Sequence, residues 1–245
     1  MRAMRAMRAG DDNDPGSAPR RANADEAALR VEMTGTARRL LELGLVSGTA
    51  GNLSCRLDGD HVLVTPSAVP YSELAAEDLV VVDDAGSVVR SRQGRRPTSE
   101  LALHLAALDA APEIGAVVHS HAVHATAFAT AGQSLPCVLE EMAYYLGGDV
   151  PVAEYRLTGT RELAVVAAPH LRERAAVLLA NHGLLTVGRD LGEALDMTRL
   201  VDRCARIVLA ARRLGGERPL PEEAIRELTR GWSERRARGS AAVAP

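Results

Sequence analysis

The chain has 245 residues, 47% of them hydrophobic, and a formal net charge of -3. That length suits one large domain with a sizeable core, and the charge argues against a nucleic-acid or polyanion partner. There is no lysine, which excludes Schiff-base chemistry on a carbonyl substrate, so any carbanion formed here needs another stabiliser, a metal being the obvious one.

In chain order, Met-Arg-Ala occurs three times and leads into a Gly/Pro-rich stretch. Residues 1–24 therefore read as a disordered tail or an over-extended start, and they lack the apolar region of a secretory signal. Asp25 to Leu43 carries Leu29, Met33, Ala37, Leu40 and Leu41 at helical spacing, with Gly44 as the stop. Strand-like runs follow at His61–Thr65, Leu79–Asp83 and Ser87–Arg90. Thr98 or Ser99 can cap a helix that passes through Leu101, Leu105 and Leu108 and ends before Pro112.

Ile114–His119 reads as an apolar strand, and Ala122–Thr130 as a close-packed helix ended by Gly132. Another helix begins within Gly159–Ala168. Ala176–Ala180 and Leu184–Val187 form a hairpin-like pair of β runs around Asn181-His182-Gly183. Leu191–Leu214 is helical up to Gly215-Gly216, and Pro221–Arg236 offers a last amphipathic helix. Elements of both kinds without strict alternation predict a central mixed sheet covered by helices. The expected organisation is a domain over 25–236 and a flexible C-terminus over 237–245. Cys55, Cys137 and Cys204 are widely spaced and form no C-x-x-C, which fits a reducing cytoplasm. No apolar stretch reaches membrane-span length.

The chemistry concentrates in Val117-Val118-His119-Ser120-His121. Side chains two apart share one face of a strand, so His119 and His121 point together. His182 can supply a third nitrogen and leave a fourth position open, the arrangement of catalytic zinc. Glu100 reads either as a first-turn acid complementing the helix dipole or as a metal ligand or general base. His124 reads as a partner of the metal ligands or as a plain packing residue. His61, His104 and His170 read as structural. The Gly48–Asn52 loop, Thr65-Pro66-Ser67 and Thr98-Ser99 are small-residue or hydroxyl clusters suited to an anion.

These motifs together resemble the class II aldolase/adducin family, closest to its fuculose-phosphate aldolase branch. The resemblance runs from about residue 25 to 235 through Gly44–Asn52, Val64–Ser67, Pro97–Glu100, Val117–His124, Gly159–Leu163 and Leu178–Gly183. It implies a three-layer α/β/α sandwich with a central mixed, largely antiparallel sheet. It also implies a homotetramer with active sites at subunit interfaces. By position, His119, His121 and His182 become ligands of one Zn2+ per subunit. Glu100 becomes the fourth ligand, displaced to act as acid/base. Gly51, Asn52, Ser67, Thr98 and Ser99 would hold the phosphate of a small-molecule sugar phosphate.

The implied reaction is cleavage of a short ketose 1-phosphate to dihydroxyacetone phosphate and an aldehyde through a metal-stabilised enediolate. Family alternatives are a 4-epimerase, a dehydratase and a decarboxylase; a non-catalytic adducin-like assembly module belongs to another class. The chain departs from the branch where a neighbouring subunit's tyrosine acts, since the matching position is about Glu140, a candidate replacement acid. Ala68 stands where the branch has a phosphate-loop glycine, with Ser67 in place of a threonine. No tyrosine follows Trp232.

Overall fold

The computed structural model describes residues 26–57 and 60–237. The expected tail over 1–24 and residues 238–245 of the expected flexible end lie outside the described residues. The strands are β1 (Asn52–Arg56), β2 (His61–Val64), β3 (Val80–Asp83), β4 (Val88–Arg90), β5 (Ala116–Ser120), β6 (Val152–Ala153), β7 (Ala176–Leu179) and β8 (Gly183–Gly188). They form one sheet in the order β4-β3-β2-β1-β5-β8-β7-β6. Among the described residues every strand pair is antiparallel except β6 with β7.

The helices are α1 (Glu26–Glu42), α2 (Leu101–Asp109), α3 (Val123–Ala131), α4 (Arg161–Ala167), α5 (Leu191–Arg213) and α6 (Glu222–Ala237). Helices α2 and α4 pack together on one face of the sheet, and α1, α3 and α5 on the other. This is the expected α/β/α sandwich. Central strand β5 is buried along its whole length, with Val117 and Val118 at 0% exposure. With one Phe and one Trp in the chain, the core is filled mainly by Leu, Val and Ala.

Three features differ from the sequence reading. Strand β1 carries buried Asn52 and Ser54, which break the apolar pattern that marks a central strand. Helix α2 begins at Leu101 with Glu100 at its N-cap, and no side chain caps it; the expected caps differ because Thr98 and Glu100 are engaged elsewhere. A π-helical turn at Met142–Leu146 packs against α5 and α6, and Trp232 Nε1 donates to the Tyr145 carbonyl at 2.9 Å.

The pairing brings five chain segments to one end of the sheet. Asn52 lies opposite His119, and Ser120 opposite Leu184, so the start of β1, the end of β5 and the start of β8 coincide. Thr65, just past β2, is tied to Leu53 by reciprocal backbone and hydroxyl bonds. The Pro66–Pro97 bridge then sets the 65–67 segment beside the approach to α2.

Candidate active site

His119 is fully buried, and its Nδ1–H donates to the Leu184 carbonyl at 3.0 Å. That bond fixes the tautomer and leaves the lone pair on Nε2. His119 Nε2 lies 3.2 Å from His121 Nε2 and 3.1 Å from Glu100 Oε2. His182 Nε2 lies 3.6 Å from the other carboxylate oxygen. One ligand atom from each of the three histidines falls within 4.8 Å of the others.

Burial holds the His119 imidazole down at about 3 and also lowers His121, so both are neutral at pH 7. For Glu100, burial alone would raise the pKa. The Asn52 amide and the Thr158 hydroxyl, which both donate to it, favour the ionised form, and the group stays a carboxylate below its usual range. Lone pairs of neutral imidazoles and a carboxylate thus converge on one point, an arrangement that a cation relieves. The donor set therefore fits a divalent metal held by the histidines and Glu100, and imidazole-rich sites suit zinc.

Glu100 is gripped on both oxygens. Asn52 Nδ2 donates to Oε2 at 3.0 Å, and Thr158 Oγ1 donates to Oε1 at 2.8 Å. Thr158 was not identified from sequence. It sits 58 residues from Glu100 in an irregular stretch before α4, and its only signal was its place beside the Gly159–Leu163 motif. His104, read as structural, contacts Asn52 and belongs to the same buried network.

The anion candidates gather at the same end of the sheet. Gly51 has φ of +83°, and a Cβ there would meet Val46 Cγ1 at 2.6 Å and the His119 carbonyl at 2.9 Å; only glycine lets the loop close on β5. The Ser67 amide donates to the Arg96 carbonyl and the Thr98 amide to the Thr65 carbonyl, which sets Ser67, Thr98 and Ser99 side by side. Thr98 Oγ1 accepts from the Glu100 amide at 3.2 Å and keeps its own proton to donate. Ala68 has φ of +60°. This is the left-handed backbone that favours glycine, so an alanine there carries about 1 kcal/mol of strain.

The structure separates two residues from the cluster. His124 pairs with Asp202 at 2.9 Å, and Asp202 also accepts from the His124 and Ala125 amides. His124 therefore belongs to the cap of α3. Glu140 is exposed at the head of the π-helical turn, with no hydrogen bond or ion pair among the described residues. That turn packs against α5, on the face of the sheet opposite α2.

Gly183 constrains the site from behind. A Cβ there would stand 2.6 Å from the Ser120 carbonyl, 2.9 Å from His121 Cδ2 and 3.2 Å from His119 Cε1. Gly183→Ala is therefore expected to push the two imidazoles apart. Metal affinity should drop at least about tenfold, on the scale of disturbed ligand orientation, read by titrating the protein against a competing chelator. Affinity equal to the wild type would show that the cluster yields to a methyl group.

The class II aldolase and adducin N-terminal domain family matches residues 31–209. The chain is 37% identical over 181 residues to the L-fuculose phosphate aldolase of Escherichia coli K12, covering 74% of this chain and 82% of that protein. It is 38% identical over 178 residues to the 5-methylthioribulose-1-phosphate/5-deoxyribulose-1-phosphate aldolase of Rhodospirillum rubrum, covering 73% of this chain and 79% of that one. A solved structure of an L-fuculose 1-phosphate aldolase superposes with a TM-score of 0.79 at 35% identity, over 84% of this chain and 96% of that chain. A Klebsiella pneumoniae protein described as a candidate aldolase/epimerase/decarboxylase gives a TM-score of 0.77 at 30% identity, over 84% of this chain and all of that one.

Proposed function

Since this chain belongs to the class II aldolase and adducin family, whose aldolases are metal-dependent lyases, we propose that it is a zinc aldolase. Its substrate is a short ketose 1-phosphate, cleaved to dihydroxyacetone phosphate and an aldehyde. The observation that carries the reading is the convergence of three imidazoles and the Glu100 carboxylate beside a hydroxyl-lined loop cluster. His119, His121 and His182 would hold one Zn2+ per subunit. When bound, it supplies Lewis-acid polarisation of the substrate's carbonyl and hydroxyl oxygens.

The chain's own residues do the rest. Gly51, Ser67, Thr98 and Ser99, with the remaining amide N–H of Asn52, bind the phosphate and fix the carbon chain relative to Glu100. Glu100, ionised at neutral pH, takes the proton from the hydroxymethyl carbon of dihydroxyacetone phosphate in the condensation direction and returns it in cleavage. Glu140 acts as the acid at the aldehyde end, contributed from a neighbouring subunit of a homotetramer, which suits its exposed position in its own protomer. Among the described residues no helix is long and apolar enough to cross a membrane. The three cysteines are buried and free, in keeping with a reducing cytoplasm.

The test is hydrogen exchange. Protein incubated with dihydroxyacetone phosphate in deuterated water should catalyse stereospecific exchange at the hydroxymethyl carbon, stopped by chelation and restored by zinc. Absence of exchange in metal-loaded protein would overturn the aldolase reading in favour of the epimerase or dehydratase. A panel of ketose 1-phosphates and aldehydes then identifies the substrate, and the name of the Rhodospirillum relative supports starting from 5-deoxyribulose and 5-methylthioribulose 1-phosphates.

A further inference from the structure

Strand β1 and helix α2 face each other with matched periods. Asn52 and Ser54, two apart, share one face of the strand, and Glu100 and His104, four apart, share one face of the helix. The four side chains are all buried, with Ser54 and His104 at 0% exposure. Ser54 Oγ lies 2.7 Å from His104 Nδ1, His104 Nε2 lies 2.5 Å from Asn52 Oδ1, and Asn52 Nδ2 lies 3.0 Å from Glu100 Oε2.

The direction of this chain of bonds follows from its end. A carboxylate only accepts, so Asn52 must turn its NH2 to Glu100 and its carbonyl to His104. His104 must then carry its proton on Nε2, and Nδ1 accepts the Ser54 hydroxyl proton. The reverse tautomer would require the Asn52 carbonyl oxygen to face Glu100 Oε2 across 3.0 Å. Burial keeps the His104 imidazole low, at about 4, so it is neutral and the tautomer is defined.

The geometry points to His104, supported by Ser54, as a positioning residue that locks the Asn52 amide so that it aims Glu100 at the reacting carbon. This rests on the reading of Glu100 as the proton carrier. The His104 ring is fully buried and bonds Ser54 and Asn52. Its effect passes through one amide, whose two ends it and Glu100 hold in opposite directions.

Two variants and one measurement on the wild type test it. A glutamine at 104 can place an N–H near the Nε2 position and donate to Asn52, whereas an asparagine reaches only the Nδ1 position, toward Ser54. His104→Asn is expected to lower kcat about 10- to 100-fold, the scale for losing a partner of this kind. His104→Gln should retain most of kcat, with metal content unchanged in both. Equal losses in the two variants would mean a core-filling role and overturn the proposal. Imidazole 15N spectra of the wild-type protein, metal-loaded and metal-free, should show His104 as the neutral Nε2–H tautomer. An Nδ1–H tautomer would also overturn it, whether or not the variants fold. If the wild type showed no exchange with dihydroxyacetone phosphate, the aldolase reading would fall, and the tautomer alone would decide the relay.

Discussion

Glu100→Gln is expected to lower kcat by about 10²- to 10⁴-fold, the range for loss of a positioned proton carrier. The amide has the shape of the carboxylate and fits the same donors. Its oxygen can accept from Asn52 Nδ2, and its NH2 can donate to Thr158 Oγ1, which rotates to accept. The fold should therefore persist, with a melting temperature close to the wild type and the three histidines unchanged. What is lost is the ability to hold a proton, which no amide shares. Turnover in the cleavage direction and exchange in deuterated water should fall together, since both pass through the same carbon. A variant that keeps wild-type turnover would move the proton-transfer role off Glu100. Glu140 would then be the carboxylate to replace next.

Much of this site was legible in the sequence because its geometry follows from short periods. His119 on β5 and His121 one residue past its end turn to the same side, as alternation predicts, and His182 lies in a two-strand hairpin whose β runs are apolar on both sides. The hydroxyl clusters were visible as motifs, and the Pro66–Pro97 bridge that joins them is a plain backbone pairing. Glu100 was placed in the first helical turn, one position inside its actual N-cap. Its side chain leaves the helix axis because Asn52 and Thr158 bind it more strongly than the helix end does.

The residues that escaped were those whose partners are set by tertiary contact. Thr158 lies in an irregular stretch with no period to read. His104 looked like a lone helical histidine, although its spacing of four from Glu100 puts both on one helix face. Strand β1 was hidden for the same reason. Asn52 and Ser54 are tolerable in a central strand only because α2 supplies their partners, and sequence pattern counts them as polar interruptions. The π-helical turn at Met142–Leu146 departs from every regular period, so the pattern of the sequence offered no element there.

His119→Ala should abolish both metal binding and turnover, and its stability cost separates the two roles of that side chain. Besides its lone pair on Nε2, His119 gives the Leu184 carbonyl its donor inside the sheet. Removing it takes that bond from the sheet and leaves a small void, a loss of about 1–3 kcal/mol. His121→Ala should lose metal as fully, yet at smaller cost, because His121 is only half-buried and has no such anchoring bond. Chelation of the wild type should stop turnover and leave the protein folded. The cluster sits at the end of a sheet whose core is complete without it, unlike a site where metal and fold form together. The expected order of melting temperatures is wild type above chelated wild type, then His121→Ala and His119→Ala, with metal lost from the last three alike. Retention of one equivalent of metal by His119→Ala would place the ion away from the three histidines. Unfolding on chelation would make it a structural ion, and the rigid-sheet account of the site would fail.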